Sequence, residues 1–223
     1  MRIRSNTYEK VCHLISSNIR DKVKHNSHVV LGLATGSTPI GIYEKLCQMR
    51  NTNFGDVITF NLDEYVGLDK NHDQSYQYFM NKHLFGNLNF REHHFPNKDN
   101  YNEYDLMVKN SGGIDIQILG IGTNGHIAFN EPGSHKYSST RIVDLTENTI
   151  KDNSRFFENI EDVPTQAYTM GMSSIMGAEK IYLIAQGKHK KEILEEAILG
   201  DITEEIPASL LQEHPNCEVY YSE

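Results

Sequence analysis

Five short apolar runs punctuate the chain: HVVLGL (residues 28–33), DVITFNL (56–62), IDIQILG (114–120), KIYLIAQ (180–186) and CEVYY (217–221). Each is bounded by polar or turn-forming residues and has the length of one strand buried on both faces. Helical patterns separate them. Val11, Leu14, Ile15, Ile19 and Val23 form one face of a helix over residues 7–25, which Asn6 or Thr7 can cap. Ile40, Tyr43 and Leu46 mark a second helix starting at Pro39, and residues 75–85, 146–157, 170–178 and 188–199 read as further helical pieces. RIVDL (141–145) reads as one more short strand, and residues 207–211 as a turn or short helix. Residues 86–113 show only weak helical signal near Tyr104–Val108. Strands alternating with helices specify an α/β fold: a mostly parallel sheet with helices on both faces. In such sheets ligands sit beyond the carboxyl ends of the strands. The loops at 34–38, 63–74, 120–131 and 186–188 all leave strand ends and are expected to share one rim.

The length of 223 residues fits a single domain spanning residues 1–223. The formal charge of −9 argues against nucleic acid or anionic membrane as a main partner, because both select basic patches. It leaves room for a small anion held by two or three local cations. Cys12, Cys47 and Cys217 are dispersed and odd in number, which fits a reducing compartment rather than a disulfide framework. The first residues, MRIRSNTYEK, lack the apolar run of a signal peptide, and no segment reaches about 18 consecutive apolar residues. A cytoplasmic address is expected.

Three segments carry groups that a chain needing only to fold would not require together. GIGTNGHIAFNE (120–131) places His126 and Glu131 in a Gly-rich turn after a strand. A carboxylate near an imidazole fixes its tautomer and supports its charged form, the usual arrangement for moving protons. A metal site is not indicated, since His126 and Glu131 supply only two ligands and no H-x-E…P-C-x-x-C pattern occurs. FNLDEY (60–65) puts Asp63 and Glu64 just past a strand. An Asp among apolar neighbours has its pKa raised and can act as a base, although a solvated acidic turn is the commoner outcome. ATGSTP (34–39) offers Thr38 as a helix cap and Pro39 at the first helical position. Gly36 permits a tight turn there. Backbone N–H groups at such a terminus, with the Ser37 and Thr38 hydroxyls, bind anions, although a plain strand-to-helix turn is at least as common a use of the pattern. The spacing matches neither GxxxxGK[ST] nor GxGxxG, so neither ATP nor NAD is indicated. Arg155 in NSRFF and Lys188 after QG are candidate cations for an anionic end. His83, His93 and His94 read as packing or surface residues.

Taken together, LATGSTP, FNLDEYVGL, GIGTNGHIAFNEPGS, NSRFF and PASLLQEHPN resemble the glucosamine-6-phosphate deaminase (isomerase) family, in the same order through nearly the whole chain. The resemblance implies a modified doubly wound, Rossmann-like fold with no cofactor and no metal. It implies conversion of glucosamine 6-phosphate and water to fructose 6-phosphate and ammonia in amino sugar catabolism. By the same resemblance, Asp63 is the base that moves the C2 proton to C1 through an enolamine. His126, assisted by Glu131 and Asn124, opens the sugar ring. Gly36, Ser37, Thr38, Arg155 and Lys188 bind the phosphate.

Some family members carry Asp at the position of Asn124, which can orient His126 by hydrogen bonding but cannot be an anionic partner. Longer members respond to N-acetylglucosamine 6-phosphate through an Arg-Ile-Lys stretch and a C-terminal extension. Here the stretch is Arg141-Ile142-Val143, and the chain ends soon after CEVYY. No such activation, and a monomer or small homo-oligomer, are expected. The rival readings are a 6-phosphogluconolactonase-like hydrolase, whose family resembles DER and GHTASLF where this chain has DEY and GHIAFNE, and a non-catalytic sugar-phosphate sensor domain.

Overall fold

The computed structural model describes residues 1–223, the side chain of residue 152 excepted. Seven strands form the main sheet, in the order β1-β10-β9-β6-β2-β3-β5, and every pairing is parallel. They are β1 (Ile3–Ser5), β2 (Val29–Leu33), β3 (Val57–Asn61), β5 (Glu92–His94), β6 (Ile116–Gly120), β9 (Lys180–Gln186) and β10 (Cys217–Ser222). A second, antiparallel sheet of order β4-β8-β7 is built from β4 (Asp63–Tyr65), β7 (Arg141–Asp144) and β8 (Gln166–Thr169). The α/β class and the sheet covered on both faces agree with the sequence.

Alternation along each strand sorts side chains into two layers. Val29, Leu31 and Leu33 of β2 face a layer with Val11, Ile15 and Ile19 of α1 (Tyr8–His25) and Ile42, Tyr43 and Leu46 of α2 (Ile40–Cys47). Val30 and Ala34 face the opposite layer. There Phe60, Leu119 and Leu183 pack with Tyr104 of α4 (Tyr104–Asn110), Ile175 of α6 (Met172–Met176) and Leu194 of α7 (Lys191–Leu199). Strands buried on both faces leave little polar alternation, and this is why β2 reads as a continuous apolar run, while β3 and β6 bury Thr59, Asn61 and Gln117 among apolar neighbours.

Helix α1 starts where the sequence indicates, with the Thr7 hydroxyl accepting from the Lys10 N–H. The stretch 75–85 is α3 (Tyr76–Met80) followed by one turn of π-helix (Asn81–Phe85), and the stretch after Thr146 is α5 (Glu147–Ser154). A 3-10 turn (Lys188–Lys190) precedes α7, and another spans Pro207–Glu213. His93 and His94 lie in the edge strand β5, where their rings stack on Phe85 and Phe60. One alternative falls and one expectation changes. The segment after β3 is not a solvated acidic turn: Asp63, Glu64 and Tyr65 form the buried strand β4. Thr38 does not cap α2, because the helix begins at Ile40 with Pro39 in the cap position and no side-chain cap.

Candidate active site

The order of the main sheet decides which loops meet. Strands β9, β6, β2 and β3 are consecutive neighbours and run in the same direction. The segments leaving their carboxyl ends therefore line one rim: Gly187–Lys190, Ile121–Glu131, Ala34–Pro39 and Leu62–Tyr65. The rim is stitched across. The Leu62 N–H donates to the Leu33 carbonyl at 3.1 Å, and the Met170 N–H donates to the Leu62 carbonyl at 2.6 Å.

Asp63 lies at the start of β4, paired with Thr169 of β8, and is only 7% exposed. Burial, reinforced by the neighbouring Glu64 charge, pushes its carboxyl well above the usual range. The phenols of Tyr43, Tyr76 and Tyr104 that sense Asp63 are themselves raised, chiefly by their own burial. Glu64 is occupied differently. Its carboxylate accepts the N–H groups of Tyr65, Tyr76 and Gln77 at 2.9–3.0 Å. These bonds tie β4 to the first turn of α3 and partly offset the rise that burial imposes on Glu64.

The loop after β6 gathers His126, Glu131 and Asn124 into one group. Asn124 Nδ2 donates to Glu131 Oε2 at 2.7 Å, and the His126 N–H donates to Asn124 Oδ1 at 3.2 Å. His126 Nδ1 lies 3.5 Å from Glu131 Oε2, an ion-pair distance longer than a good hydrogen bond. The Thr149 hydroxyl of α5 donates to Glu131 Oε1. Burial raises the Glu131 carboxyl, but His126, Thr149 and Asn124 together outweigh it and hold the group below its ordinary value. The two carboxyls of the rim are thus driven apart, Asp63 up and Glu131 down, the pattern that divides acid–base roles between them.

Local backbone makes this possible. A Cβ at Gly122 would lie 2.3 Å from the His126 ring, so only glycine lets the imidazole rest there. Ala128 is held at φ 54°, a conformation costly for a residue with a side chain. Asn130 locks the turn from within: its Nδ2 donates to the Ile127 and Met170 carbonyls, and its Oδ1 accepts from Arg141. The Phe129 N–H donates to Thr169 Oγ1 at 3.1 Å. Thr169 therefore sits between the Asp63 strand and the His126 loop and joins them.

The remaining predicted residues divide. Gly36 (φ 85°) and Ser37 are exposed and Thr38 is half-buried, all at the end of β2, while Lys188 is exposed at the end of β9. Among the described residues, no backbone carbonyl takes the N–H groups of Gly36, Ser37 or Thr38. Arg155 is not brought to this group. It ends α5, exposed, with its guanidinium 4.7 Å from the Phe156 ring centroid. Thr149, Thr169 and Glu64 were not found from the sequence as site residues, for their partners are fixed only by tertiary pairing. Among the described residues, no cluster of three or more His, Cys, Asp or Glu side chains is arranged to hold a metal. Among the described residues, no helix is long and apolar enough to cross a membrane.

The family model of glucosamine-6-phosphate isomerases and 6-phosphogluconolactonase matches residues 3–220. A glucosamine-6-phosphate deaminase of Clostridium perfringens (strain ATCC 13124) is 46% identical over 218 residues, covering 93% of this chain and 90% of that protein. One of Mycoplasma mycoides subsp. mycoides SC is 50% identical over 214 residues, covering 92% and 88%. Among solved structures, a monomeric glucosamine-6-phosphate deaminase superposes with a TM-score of 0.94 at 37% identity, covering 100% of this chain and 98% of that one. A 6-phosphogluconolactonase from Thermotoga maritima gives 0.80 at 18% identity, covering 99% of each chain, a likeness of fold alone.

Proposed function

Because the chain belongs to the family of glucosamine-6-phosphate isomerases and 6-phosphogluconolactonases, we propose that it converts glucosamine 6-phosphate and water to fructose 6-phosphate and ammonia. The observation that carries this reading is the pairing, on one rim, of a buried carboxyl pushed up in pKa with an imidazole–carboxylate group one loop away. The reaction needs both. The pyranose must open before C2 can be deprotonated, and the C2 proton is too weakly acidic to leave without a positioned base.

In this scheme His126, steadied by Glu131 and Asn124, delivers a proton to the ring oxygen as the anomeric hydroxyl gives one up. Asp63 then takes the C2 proton and returns it to C1 through the enolamine. C2 is oxidised and C1 reduced within the same molecule. Water adds to the resulting C2 imine, and ammonia leaves. The desolvation that raises Asp63 also makes its ionised form a stronger base, which supports the assignment. The Gly36–Thr38 turn, Lys188 and Arg155 hold the phosphate, whose binding energy orients the reacting carbons. Arg155, at the exposed end of α5, is assigned to the phosphate on the family resemblance alone.

The enzyme acts as a monomer or small oligomer in the cytoplasm, without activation by N-acetylglucosamine 6-phosphate. Two observations support this. The similar solved structure at 37% identity is of a deaminase described as monomeric. In this chain the Arg141 guanidinium is already engaged by Asn130, Ser139 and Ser134, and Val143 stands where the family resemblance implies a lysine in members that respond to the effector. A coupled assay tests the whole reading. Ammonia and fructose 6-phosphate should appear in equal amounts from glucosamine 6-phosphate, and no turnover should follow with 6-phosphogluconolactone. Lactone hydrolysis without ammonia release would reverse the conclusion.

A further inference from the structure

We propose that Tyr8, in the first turn of α1, is a positioning residue that clamps the Gly36–Thr38 turn in the shape that receives the substrate's phosphate. The proposal rests on the reading of that turn as part of the phosphate site. The Tyr8 hydroxyl donates to the Thr38 carbonyl at 2.8 Å and accepts the Gly41 N–H at 2.9 Å. It thereby grips the exit of the loop at two successive points, the last carbonyl of the turn and the first turn of α2. The first N–H groups of any helix lack intrahelical partners, and a Ser, Thr, Asp or Asn cap usually meets one of them. Here Pro39 occupies the cap position and has nothing to offer. A phenol from another helix, 33 positions earlier in the chain, supplies the acceptor instead.

Two further features fit a built clamp. A Cβ on Gly41 would come within 2.9 Å of Cys12 Sγ and 3.0 Å of the Tyr8 hydroxyl, so glycine is what lets the two helices close to this distance. Burial pushes the Tyr8 phenol up to about 12, which keeps it a neutral donor across the working range. Since Tyr8 caps α2, the Thr38 side chain is not drawn into that cap. With the Thr38 carbonyl anchored, the preceding peptide planes have less freedom, and the N–H groups of Gly36 to Thr38 are presented in one orientation. A turn ordered in advance binds an anion without first losing conformational entropy.

Tyr8→Phe removes the hydroxyl and keeps the ring. The expected result is a KM for glucosamine 6-phosphate raised about tenfold, the order expected from losing a donor–acceptor pair, with kcat within about twofold. Competitive inhibition by inorganic phosphate should weaken by the same factor, and the pH profile should not move. Gly41→Ala, which displaces the same hydroxyl, should give the same split. Unchanged KM and phosphate inhibition in either folded variant, with only a lower melting temperature, would overturn the clamp and leave Tyr8 a packing residue. So would failure of both variants to fold. Calorimetric titration of inorganic phosphate separates this from the reading of activity. If the wild-type protein binds phosphate but releases no ammonia, the assigned reaction is wrong, and the loss of phosphate affinity in Tyr8→Phe still decides the clamp.

Discussion

Asp63 and Glu131 sit on the same rim, and the chain treats their charges in opposite ways. Burial makes the folded chain hold the Asp63 proton more tightly than the unfolded chain does. Its ionisation therefore costs stability, a cost that grows as pH rises from the ordinary Asp value toward the raised one. Asp63→Asn is expected to lower turnover by a factor of about 10²–10⁴. It should also raise the melting temperature, by about 2–4 °C for each kcal/mol of charge burial relieved. Loss of stability together with loss of activity would count against a strained functional carboxyl. The acid limb of kcat/KM should lie above the roughly 3.9 of an ordinary Asp, and Glu64→Gln should lower it by removing the adjacent like charge. An unmoved limb would mean that Glu64 acts only as a tie to α3. Glu131, held down by its partners, contributes stability that is present above its unfolded value and lost as pH falls through its folded value.

At the level of elements, α5 does more than cover the small sheet. Thr149 bonds Glu131, and Asn153 Nδ2 donates to the Tyr65 hydroxyl at 2.9 Å. One helix thus touches both the imidazole–carboxylate group and the strand that carries Asp63. Thr149→Val keeps the shape and removes the donor. It should raise the Glu131 pKa and lower kcat about tenfold, with KM for the phosphorylated sugar little changed. Equal loss in both constants would point to a displaced helix instead. Nothing in the sequence marked Thr149, because its partner is 18 residues away and is found only when α5 docks. The same limit hid β1, β4, β5 and β8. These strands of three or four residues contain too few alternations to show a period, and Glu92–His94 is polar besides, whereas β7, equally short, was read from its β-branched Ile142-Val143 pair. The long apolar strands and α1 were legible because burial on two faces, or on one helical stripe, writes itself into many positions at once. His126 and Glu131 were legible for another reason: they lie in one short loop, so their proximity is local; Asn124, in the same loop, was reached only through the family resemblance. Thr38 was misassigned as a cap because its competitor, Tyr8, comes from another helix.

Taken whole, the molecule is a broad parallel sheet carrying a smaller antiparallel one over its carboxyl rim. Arg141 belongs to the internal bracing of that small sheet, through Asn130 and Ser134. Rate should therefore depend hyperbolically on substrate concentration. Addition of N-acetylglucosamine 6-phosphate should leave the curve unchanged, and sedimentation should give one species across concentrations. A sigmoidal curve straightened by that compound would refute the proposed independence from effectors.

The contiguity of β9, β6, β2 and β3 has a consequence for what the enzyme accepts. Ladder hydrogen bonds hold neighbouring strands about 4.8 Å apart, and the Leu62 N–H bonded to the Leu33 carbonyl ties the entry of β4 to the end of β2, so the fold sets the gap between Asp63 and the turn proposed to hold the phosphate. The sheet acts as a fixed gauge, measuring how many carbons separate the ester from the amine. A 2-amino-2-deoxypentose 5-phosphate, whose ring can still open but whose ester lies one carbon nearer the amine, should occupy the turn as an inhibitor and release little ammonia.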